Sequence, residues 1–243
     1  MEQARYRMIK KLGEGATAEV FLVWDTLLER NTAVKRGRDK ALLYAEAKIL
    51  ASVSHPAFPN MYDYREDEMG ASLFMEYIAG ETLRERQERI GRYTKEEVFC
   101  IVCKTAQAIL FLHESEPVLV YGDIKPENIL VQSDGSVRLV DFGTVCALTG
   151  QRQTVKEGTS LRGGTPLFAP PERWKGNPDV RGDIYALGKL MQVLLQKTGR
   201  EEEENGYMRI IERCTQKNPG SRYQSVREFL DAVNTLNMPC RRY

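Results

Sequence analysis

The sequence is poor in the residues on which several common kinds of site depend. Only two histidines occur in 243 residues, His55 and His113, and neither has serine, cysteine or aspartate grouped around it. The five cysteines lack a framework spacing; Cys100 and Cys103 lie three apart in an apolar helical pattern, and no second pair completes a metal site. We therefore expect structural histidines, core cysteines and a reducing compartment.

Long apolar runs and an excess of charge are also absent. No run reaches the roughly 18 residues of a membrane span, no signal peptide opens the chain, and the formal net charge is +1. The longest run of like charge, Glu201–Glu204, is typical of a solvated loop. These features predict a cytoplasmic protein with no membrane span in this chain and no nucleic-acid partner.

The first third of the chain alternates polar and apolar residues between turn signals, which is typical of short strands. The predicted strands are Tyr6–Leu12, Glu19–Asp25, Asn31–Arg36, Asn60–Arg65 and Ser72–Tyr77. Between the first two lie Gly13 and Gly15, which allow close approach of the backbone to phosphate oxygens. A plain hairpin turn is the alternative, and a dinucleotide fold is disfavoured because a strand follows.

A carboxylate inside an apolar stripe indicates a buried ion pair. One helical face carries residues at spacings of three and four, namely Leu43, Glu46, Leu50 and Val53. An unpaired buried carboxylate is unfavourable, so a cation must face Glu46, and Lys35 is the natural candidate. Only ten residues separate Lys35 from Glu46. We therefore expect a short connection that reduces control by movement of this helix.

Polar residues at a fixed spacing lie between two apolar runs in the middle of the chain. The stretch Tyr121–Leu130 reads YGDIKPENIL and contains Asp123, Lys125 and Asn128. Because Pro126 removes a backbone donor and disfavours helix before it, this stretch is predicted to be a loop between two buried strands. Asp, Lys and Asn can accept a hydroxyl proton, steady a phosphate and bind a hard metal ion.

This loop resembles the catalytic loop of eukaryotic-type (Hanks-type) Ser/Thr protein kinases, HRDxKPEN, with Tyr121-Gly122 in place of His-Arg. Further matches follow in the family's order: Leu12–Val20 for the Gly-rich loop with Ala18 as its third glycine, Thr32–Lys35 for VAIK, His55-Pro56, Met75–Gly80 for the hinge, Asp141–Gly143 for DFG and Gly164–Glu172 for GTPxYMAPE. The resemblance covers about residues 5–235, and the compact lobes are similar to those of bacterial members.

The resemblance implies an α+β, bilobal protein-kinase fold over residues 1–243, a single domain. Its N-lobe, about 1–77, is a small antiparallel β-sheet with one helix, and its C-lobe, about 81–243, is larger and mainly helical. The implied reaction moves the γ-phosphate of ATP, with Mg²⁺ as cofactor, to a Ser/Thr hydroxyl of a protein substrate. The implied catalytic residues are Asp123 as base, Lys125, Asn128, Lys35 and Glu46.

The resemblance also implies the residues that contact the nucleotide and the metal ion. The nucleotide contacts are Leu12, Gly13, Gly15, Val20, Ala33, Lys35, Met75, Glu76, Ile78, Thr82, Leu130 and Asp141. The magnesium ligands are Asn128 and Asp141. Met75 corresponds to the gatekeeper, and the backbone of Glu76 and Ile78 would bond adenine.

Two further helices are predicted, one before and one after the loop that contains Asp123. The predicted helix Thr94–Leu112 begins with a capping-box signature, and Ile184–Gln196 is apolar almost all round and is therefore buried. Asp183 is interpreted as the N-cap of the latter. The resemblance adds a bond from Asp183 to the backbone of the catalytic loop, and an ion pair between Glu172 and Arg222.

Two departures fall in the catalytic loop. Gly122 stands where many relatives have an arginine that grips a phosphate on the activation loop, so full activity is expected not to require such a phosphate. The hydroxyls of that loop are Thr149, Thr154, Thr159 and Ser160. Tyr121 keeps an aromatic ring that can pack under Phe142.

The sequence is compatible with three functions to different degrees. An active Ser/Thr protein kinase is favoured because every chemical position of the family is filled by the right residue type. The alternative is a pseudokinase, an ATP-binding scaffold module, which Gly122, Ala18 and the short helix connection support. A small-molecule phosphotransferase is disfavoured by Lys125 and Thr165, which go with protein acceptors in the family.

Overall fold

The structure is a computed structural model that describes residues 5–148, 167–172, 178–195 and 205–236. The chain divides into two compact units, Met1–Ala79 and Gly80–Tyr243. The predicted α+β class is confirmed, since the first unit has an antiparallel sheet with one helix and the second is mainly helical. No helix within the described ranges has the length and apolar character to cross a membrane. Glu201–Glu204 lies outside the described residues.

Five strands form the sheet of the first unit. They are β1 (Tyr6–Glu14), β2 (Ala18–Asp25), β3 (Arg30–Gly37), β4 (Met61–Asp67) and β5 (Gly70–Glu76). Their order is β1-β2-β3-β5-β4, and every neighbouring pair is antiparallel. All five predicted strands are present, and their ends differ from the predicted ones by at most two residues. Val23, Val34 and Phe74 form the apolar core of one face.

Helix α1 (Lys40–Ser52) lies against β4 and β5. The Asp39 side chain caps it by accepting a hydrogen bond from the Leu42 amide at 3.1 Å. Leu43, Glu46 and Leu50 are buried, as the predicted face requires. Val53 is the C-cap residue in an extended conformation, so it lies beyond that face.

The second unit combines short strands with five helices in the described ranges. In chain order these elements are β6 (Glu81–Thr82), α2 (Leu83–Ile90), α3 (Lys95–His113), β7 (Val118–Val120), β8 (Ile129–Val131), β9 (Val137–Leu139), β10 (Cys146–Leu148), α4 (Val180–Leu195), α5 (Asn205–Cys214) and α6 (Val226–Asn234). Helix α3 packs against α4 and α6. Its predicted capping box, Thr94 with Glu97, is present. Strand β7 pairs with β10, and β8 pairs with both β6 and β9.

Helix α4 begins earlier than the sequence suggested. The Asp179 carboxylate accepts a hydrogen bond from the Arg181 amide at 2.8 Å, and the helix starts at Val180. The prediction that Asp183 is the N-cap is therefore wrong, because Asp183 lies in the first turn. Asp179 and Asp183 both precede the apolar run. Because glycine disfavours helix and Gly182 lies between them, the sequence did not indicate which aspartate begins the helix.

The cysteines match the expectation only in part. Cys100 and Cys103 are buried in α3, as predicted for core residues. Cys103, Cys146 and Cys214 are free thiols, and burial raises the pKa of Cys103 to about 11. Cys100 is disulfide-bonded, which contradicts a fully reduced chain. An odd cysteine count without framework spacing carries no signal for a single bridge.

A buried carboxylate ties the start of the chain to the turn between β2 and β3. Asp25 is 1% exposed and binds the Arg5 guanidinium at 2.8 and 3.0 Å. It also accepts hydrogen bonds from the Leu27 and Leu28 amides at 3.0 and 3.2 Å. The Arg5 hydrogen bonds, helped by these amides, lower the pKa of Asp25 to about 2.

We expect Asp25→Asn to lower the free energy of unfolding by about 1–2 kcal/mol at neutral pH. A carboxyl whose pKa falls on folding stabilises the fold above its unfolded value, near pH ~4, and this stabilisation is lost as pH falls towards ~2. The two proteins should therefore converge in acid. Denaturant unfolding at about pH 7, 5 and 3 measures this. Asp67→Asn, in an exposed pair with Arg36, is the control, and an equal loss in both variants would contradict the account.

Candidate active site

The Gly-containing turn closes a hairpin between β1 and β2. The Gly15 amide donates to the Ala18 carbonyl oxygen at 2.8 Å. Ala18, which replaces the third glycine of the family's loop, pairs with Gly37 on β3. A Cβ on Gly37 would lie 2.6 Å from the Thr17 carbonyl oxygen and 3.3 Å from the Ala18 Cβ. The extra methyl group is thus accommodated because the residue opposite it is glycine.

A buried ion pair joins the sheet of the first unit to its helix. The Lys35 Nζ lies 2.8 Å from both carboxylate oxygens of Glu46, and the two side chains are 11% and 5% exposed. The pair predicted from the apolar stripe is confirmed. Strand β3 ends at Gly37 and α1 begins at Lys40, so two residues connect them. Such a short connection leaves α1 little freedom to move away from Lys35.

The other nucleotide-contact candidates of the first unit lie along its strands, in the turn between β1 and β2, and just after β5. They are Leu12, Gly13, Gly15, Val20, Ala33, Met75, Glu76 and Ile78. Strand pairing sets Val20 opposite Lys35 and Ala33 opposite Met75. The Glu76 amide donates to the Asn60 carbonyl oxygen at 2.8 Å and is therefore already used.

Asp123 is the centre of a hydrogen-bonded cluster in the second unit. The Lys125 Nζ donates to its Oδ2 at 2.6 Å, and the Asn128 Nδ2 donates to the same oxygen at 2.8 Å. The Asn128 Nδ2 also donates to the Asp123 carbonyl oxygen at 3.0 Å. A 3₁₀ turn, Pro126–Asn128, carries the last of these residues into β8. The predicted loop between two strands thus brings the three side chains together.

Asp183 holds the start of this loop through its backbone. Its fully buried carboxylate accepts hydrogen bonds from the Tyr121 and Gly122 amides, both at 2.8 Å. This confirms the bond implied by the family resemblance. The His113 Nε2 lies 2.9 Å from the same carboxylate. His113 was expected to be structural only, and no local pattern could show this contact because Asp183 is 70 residues away.

The two departures in the loop have specific contacts. Tyr121 packs edge-on against Phe142, with ring centroids 5.7 Å apart, and its hydroxyl donates to the Val140 carbonyl oxygen at 2.5 Å. The predicted aromatic contact is confirmed. Gly122 has φ +79, and a Cβ there would lie 3.3 Å from the Thr144 carbonyl oxygen. Glycine adopts this left-handed conformation without the strain that a side chain brings.

Asn128 and Asp141 offer oxygen atoms of the kind that Mg²⁺ prefers. The Asn128 Nδ2 is hydrogen-bonded to Asp123. The amide oxygen of the Asn128 side chain is therefore the atom that can coordinate a cation. The Val140 amide donates to the Asn128 carbonyl oxygen at 2.9 Å, and Asp141 is the residue next to Val140 in the chain. No cluster of three or more His, Cys, Asp or Glu occurs in the described residues. A magnesium site does not need such a cluster, because one or two carboxylates, substrate phosphates and water are sufficient ligands.

The remaining candidates of the second unit have structural partners. Thr82 is the N-cap of α2 in a capping box with Glu85. The predicted pair of Arg222 and Glu172 is confirmed, with distances of 2.5 and 2.8 Å. Thr165 and the hydroxyls of the activation loop, Thr149, Thr154, Thr159 and Ser160, lie outside the described residues.

A sheet unit with a buried Lys–Glu pair and a mainly helical unit with an Asp–Lys–Asn loop are the arrangement that the protein-kinase fold was expected to have. The protein kinase domain profile matches residues 6–238. The chain therefore belongs to the protein kinase domain family.

Three of its relatives are bacterial Ser/Thr protein kinases or probable ones, which agrees with the similarity to bacterial members noted in the sequence. It is 30% identical to the serine/threonine-protein kinase PknB of Mycobacterium tuberculosis over 94% of this chain and 38% of that protein. It is 32% identical to the serine/threonine-protein kinase PrkC of Bacillus subtilis, over 81% and 31%. A probable serine/threonine-protein kinase of Streptomyces coelicolor, SCO3848, is 34% identical over 79% and 30%. The chain spans about a third of the length of these relatives.

We expect Glu46→Ala to lower the free energy of unfolding by about 3 kcal/mol or more, because the buried Lys35 loses both hydrogen bonds that its Nζ makes to the Glu46 carboxylate. The double variant Lys35→Met with Glu46→Leu should lie within about 1 kcal/mol of the unchanged protein, since apolar residues of similar volume replace the pair. Denaturant unfolding of the three proteins checks this. A double variant as unstable as Glu46→Ala would show that the charges themselves stabilise the fold.

Proposed function

We propose that the chain is an ATP-dependent Ser/Thr protein kinase domain, which transfers the γ-phosphate of ATP to a hydroxyl of a protein substrate. The Asp123–Lys125–Asn128 cluster is the observation that carries this proposal, because it combines a base, a cation and a metal-binding oxygen. The domain comprises all 243 residues, with an N-lobe at about 1–77 and a C-lobe at about 81–243. A cytoplasmic location is part of the same proposal.

Asp123 accepts the proton of the substrate hydroxyl. Its Oδ2 is held by Lys125 and Asn128, so its Oδ1 is the oxygen available to a hydroxyl. As that proton leaves, the hydroxyl oxygen forms a bond to the γ-phosphorus in line with the bond that breaks, and ADP departs. Lys125, 2.6 Å from the carboxylate, neutralises charge on the transferring group.

The other roles concern the nucleotide and its cation. Lys35, oriented by Glu46, contacts phosphate oxygens, and the amides of the Gly13–Gly15 turn face them. The Asn128 amide oxygen and the Asp141 carboxylate hold Mg²⁺, which when bound neutralises charge on the phosphates. This arrangement demands little covalent chemistry from the protein and much positioned positive charge.

The nucleoside would be held mainly by backbone groups and apolar side chains. Met75 is the gatekeeper, and the Glu76 carbonyl oxygen and the Ile78 backbone bond adenine. Leu12, Val20, Ala33 and Leu130 supply apolar contact. Thr82 contributes to ribose binding only by sharing its hydroxyl, because its Oγ1 already caps α2.

We expect Asp123→Asn to lower phosphate transfer by at least ~100-fold, because the amide cannot accept the hydroxyl proton. An asparagine can keep the hydrogen bonds from Lys125 and Asn128, so the fold should be retained. Transfer of radiolabelled phosphate from Mg-ATP to a protein acceptor, together with thermal unfolding, measures both effects.

Asp134→Asn, in the exposed turn before β9, is the matched control for that experiment. Equal labelling by the unchanged protein and Asp123→Asn would reveal a contaminating kinase and defeat the assignment. An unchanged protein that binds ATP tightly without transferring phosphate would instead be an ATP-binding scaffold.

We expect most of the turnover on an external peptide to survive replacement of Thr149, Thr154, Thr159 and Ser160 together by alanine. A phosphate on this segment would lack its usual guanidinium partner, because position 122 is glycine. Steady-state kcat on one peptide, with both proteins purified after phosphatase treatment, gives the comparison. Loss of nearly all turnover in the alanine variant would defeat this idea.

A further inference from the structure

An ion pair links helix α2 to the catalytic loop. The Arg84 Nε and Nη2 donate to the Glu127 Oε1 at 2.9 and 2.7 Å. Glu127 is the middle residue of the Pro126–Asn128 turn and the direct neighbour of Asn128. The pair thus joins a side chain of α2 to the turn that carries a proposed magnesium ligand.

The pair closes a ring of contacts. Thr82 of β6 pairs with Leu130 of β8. Helix α2 begins immediately after Thr82, and β8 begins immediately after the turn that contains Glu127. The ion pair of Arg84 and Glu127 therefore adds one more contact between the two segments that β6 and β8 join. This contact lies on the side of the catalytic loop. The same ring includes two of the proposed nucleotide contacts, Thr82 and Leu130.

Helix α2 is a fixed support for this contact. Its capping box holds the N-terminal turn, and Leu83 is fully buried. The Tyr93 hydroxyl donates to the Leu83 carbonyl oxygen at 3.0 Å. Just before β6, a Cβ on Gly80 would lie 2.9 Å from the Val131 carbonyl oxygen, so the chain here packs closely on β8.

The Glu127 carboxylate depends on Arg84 more than the exposure of the pair suggests. The two side chains are 45% and 38% exposed, which is typical of pairs that contribute little. Both hydrogen bonds fall on Oε1, however, and Oε2 is buried with no hydrogen-bond partner among the described atoms. Removing Arg84 would leave a partly desolvated carboxylate without its cation, and the turn would shift to expose it.

We propose that Arg84 is a positioning residue for phosphoryl transfer, which acts through Glu127 to hold the Pro126–Asn128 turn. The Asn128 amide group binds Asp123 through its nitrogen, so a shift of the turn moves the carboxylate and the proposed magnesium ligand together. This inference rests on the proposed kinase function of the same loop.

Helix α2 offers a matched control. Arg89 binds Glu81 through two hydrogen bonds of 2.7 and 2.6 Å, one to each carboxylate oxygen. These side chains are 55% and 40% exposed, close to the values for Arg84 and Glu127. Neither residue lies in the catalytic loop. Each variant therefore removes one guanidinium from α2. The two variants differ in the partner carboxylate, because Glu127 lies in the catalytic loop and Glu81 does not.

The test compares Arg84→Ala, Arg89→Ala and the exchanged pair Arg84→Glu with Glu127→Arg. For Arg84→Ala we expect kcat to fall roughly three- to fivefold, the scale of a lost ion pair, with the KM for peptide unchanged. We also expect binding of a non-hydrolysable ATP analogue, measured by calorimetry, to need more Mg²⁺. Arg89→Ala should match the unchanged protein, and the exchanged pair should recover kcat.

Several results would overturn the inference. They are an unchanged kcat in Arg84→Ala, an equal decrease in Arg89→Ala, or a lowered melting temperature without any change in kcat or Mg²⁺ dependence. An unchanged protein that binds the analogue with Mg²⁺ but transfers no phosphate would refute the kinase function instead. In that case the Mg²⁺ dependence of analogue binding still decides the role of Arg84.

Discussion

The catalytic loop keeps its shape because one buried carboxylate binds two of its backbone amides. Asp183, in the first turn of α4, accepts hydrogen bonds from Tyr121 and Gly122. A carboxylate removed from water needs such partners, so movement of the loop away from Asp183 would remove two of its hydrogen bonds. The two amides directly precede Asp123. The helix therefore determines where the Asp123 side chain leaves the backbone, and the cluster with Lys125 and Asn128 depends on that starting point.

The first unit uses a buried charge in a comparable way. The pair of Lys35 and Glu46 adds little to stability relative to apolar residues of the same size, because both charges lose their hydration. Its effect is geometric, since two hydrogen bonds of 2.8 Å to the Glu46 carboxylate hold the Lys35 amine in one position. The short step from Gly37 to the Asp39 cap keeps α1 close to β3. The short connection between β3 and α1 thus keeps Glu46 within reach of Lys35.

The sequence predicted what depends on local pattern. Strand alternation, the face of α1 and the order of polar residues in the catalytic loop are visible over a few residues, and each leads to a contact that the structure contains. Contacts between distant residues carry no such signal. His113 and Asp183 are 70 residues apart, and Arg84 and Glu127 are 43 apart. Their meeting is set by how α2, α3 and α4 pack, which periodicity alone does not specify.

The departures from the family pattern are each matched by a local contact. Gly37 leaves room for the Ala18 methyl group, and the Tyr121 ring packs against Phe142. Gly122 takes a left-handed backbone conformation in which its amide still reaches Asp183. What position 122 lacks is a cationic side chain that could bind a phosphate, while the hydrogen bonds of Asp123 to Lys125 and Asn128 are in place. Under the proposed function, the altered loop therefore bears on regulation and not on the transfer of phosphate.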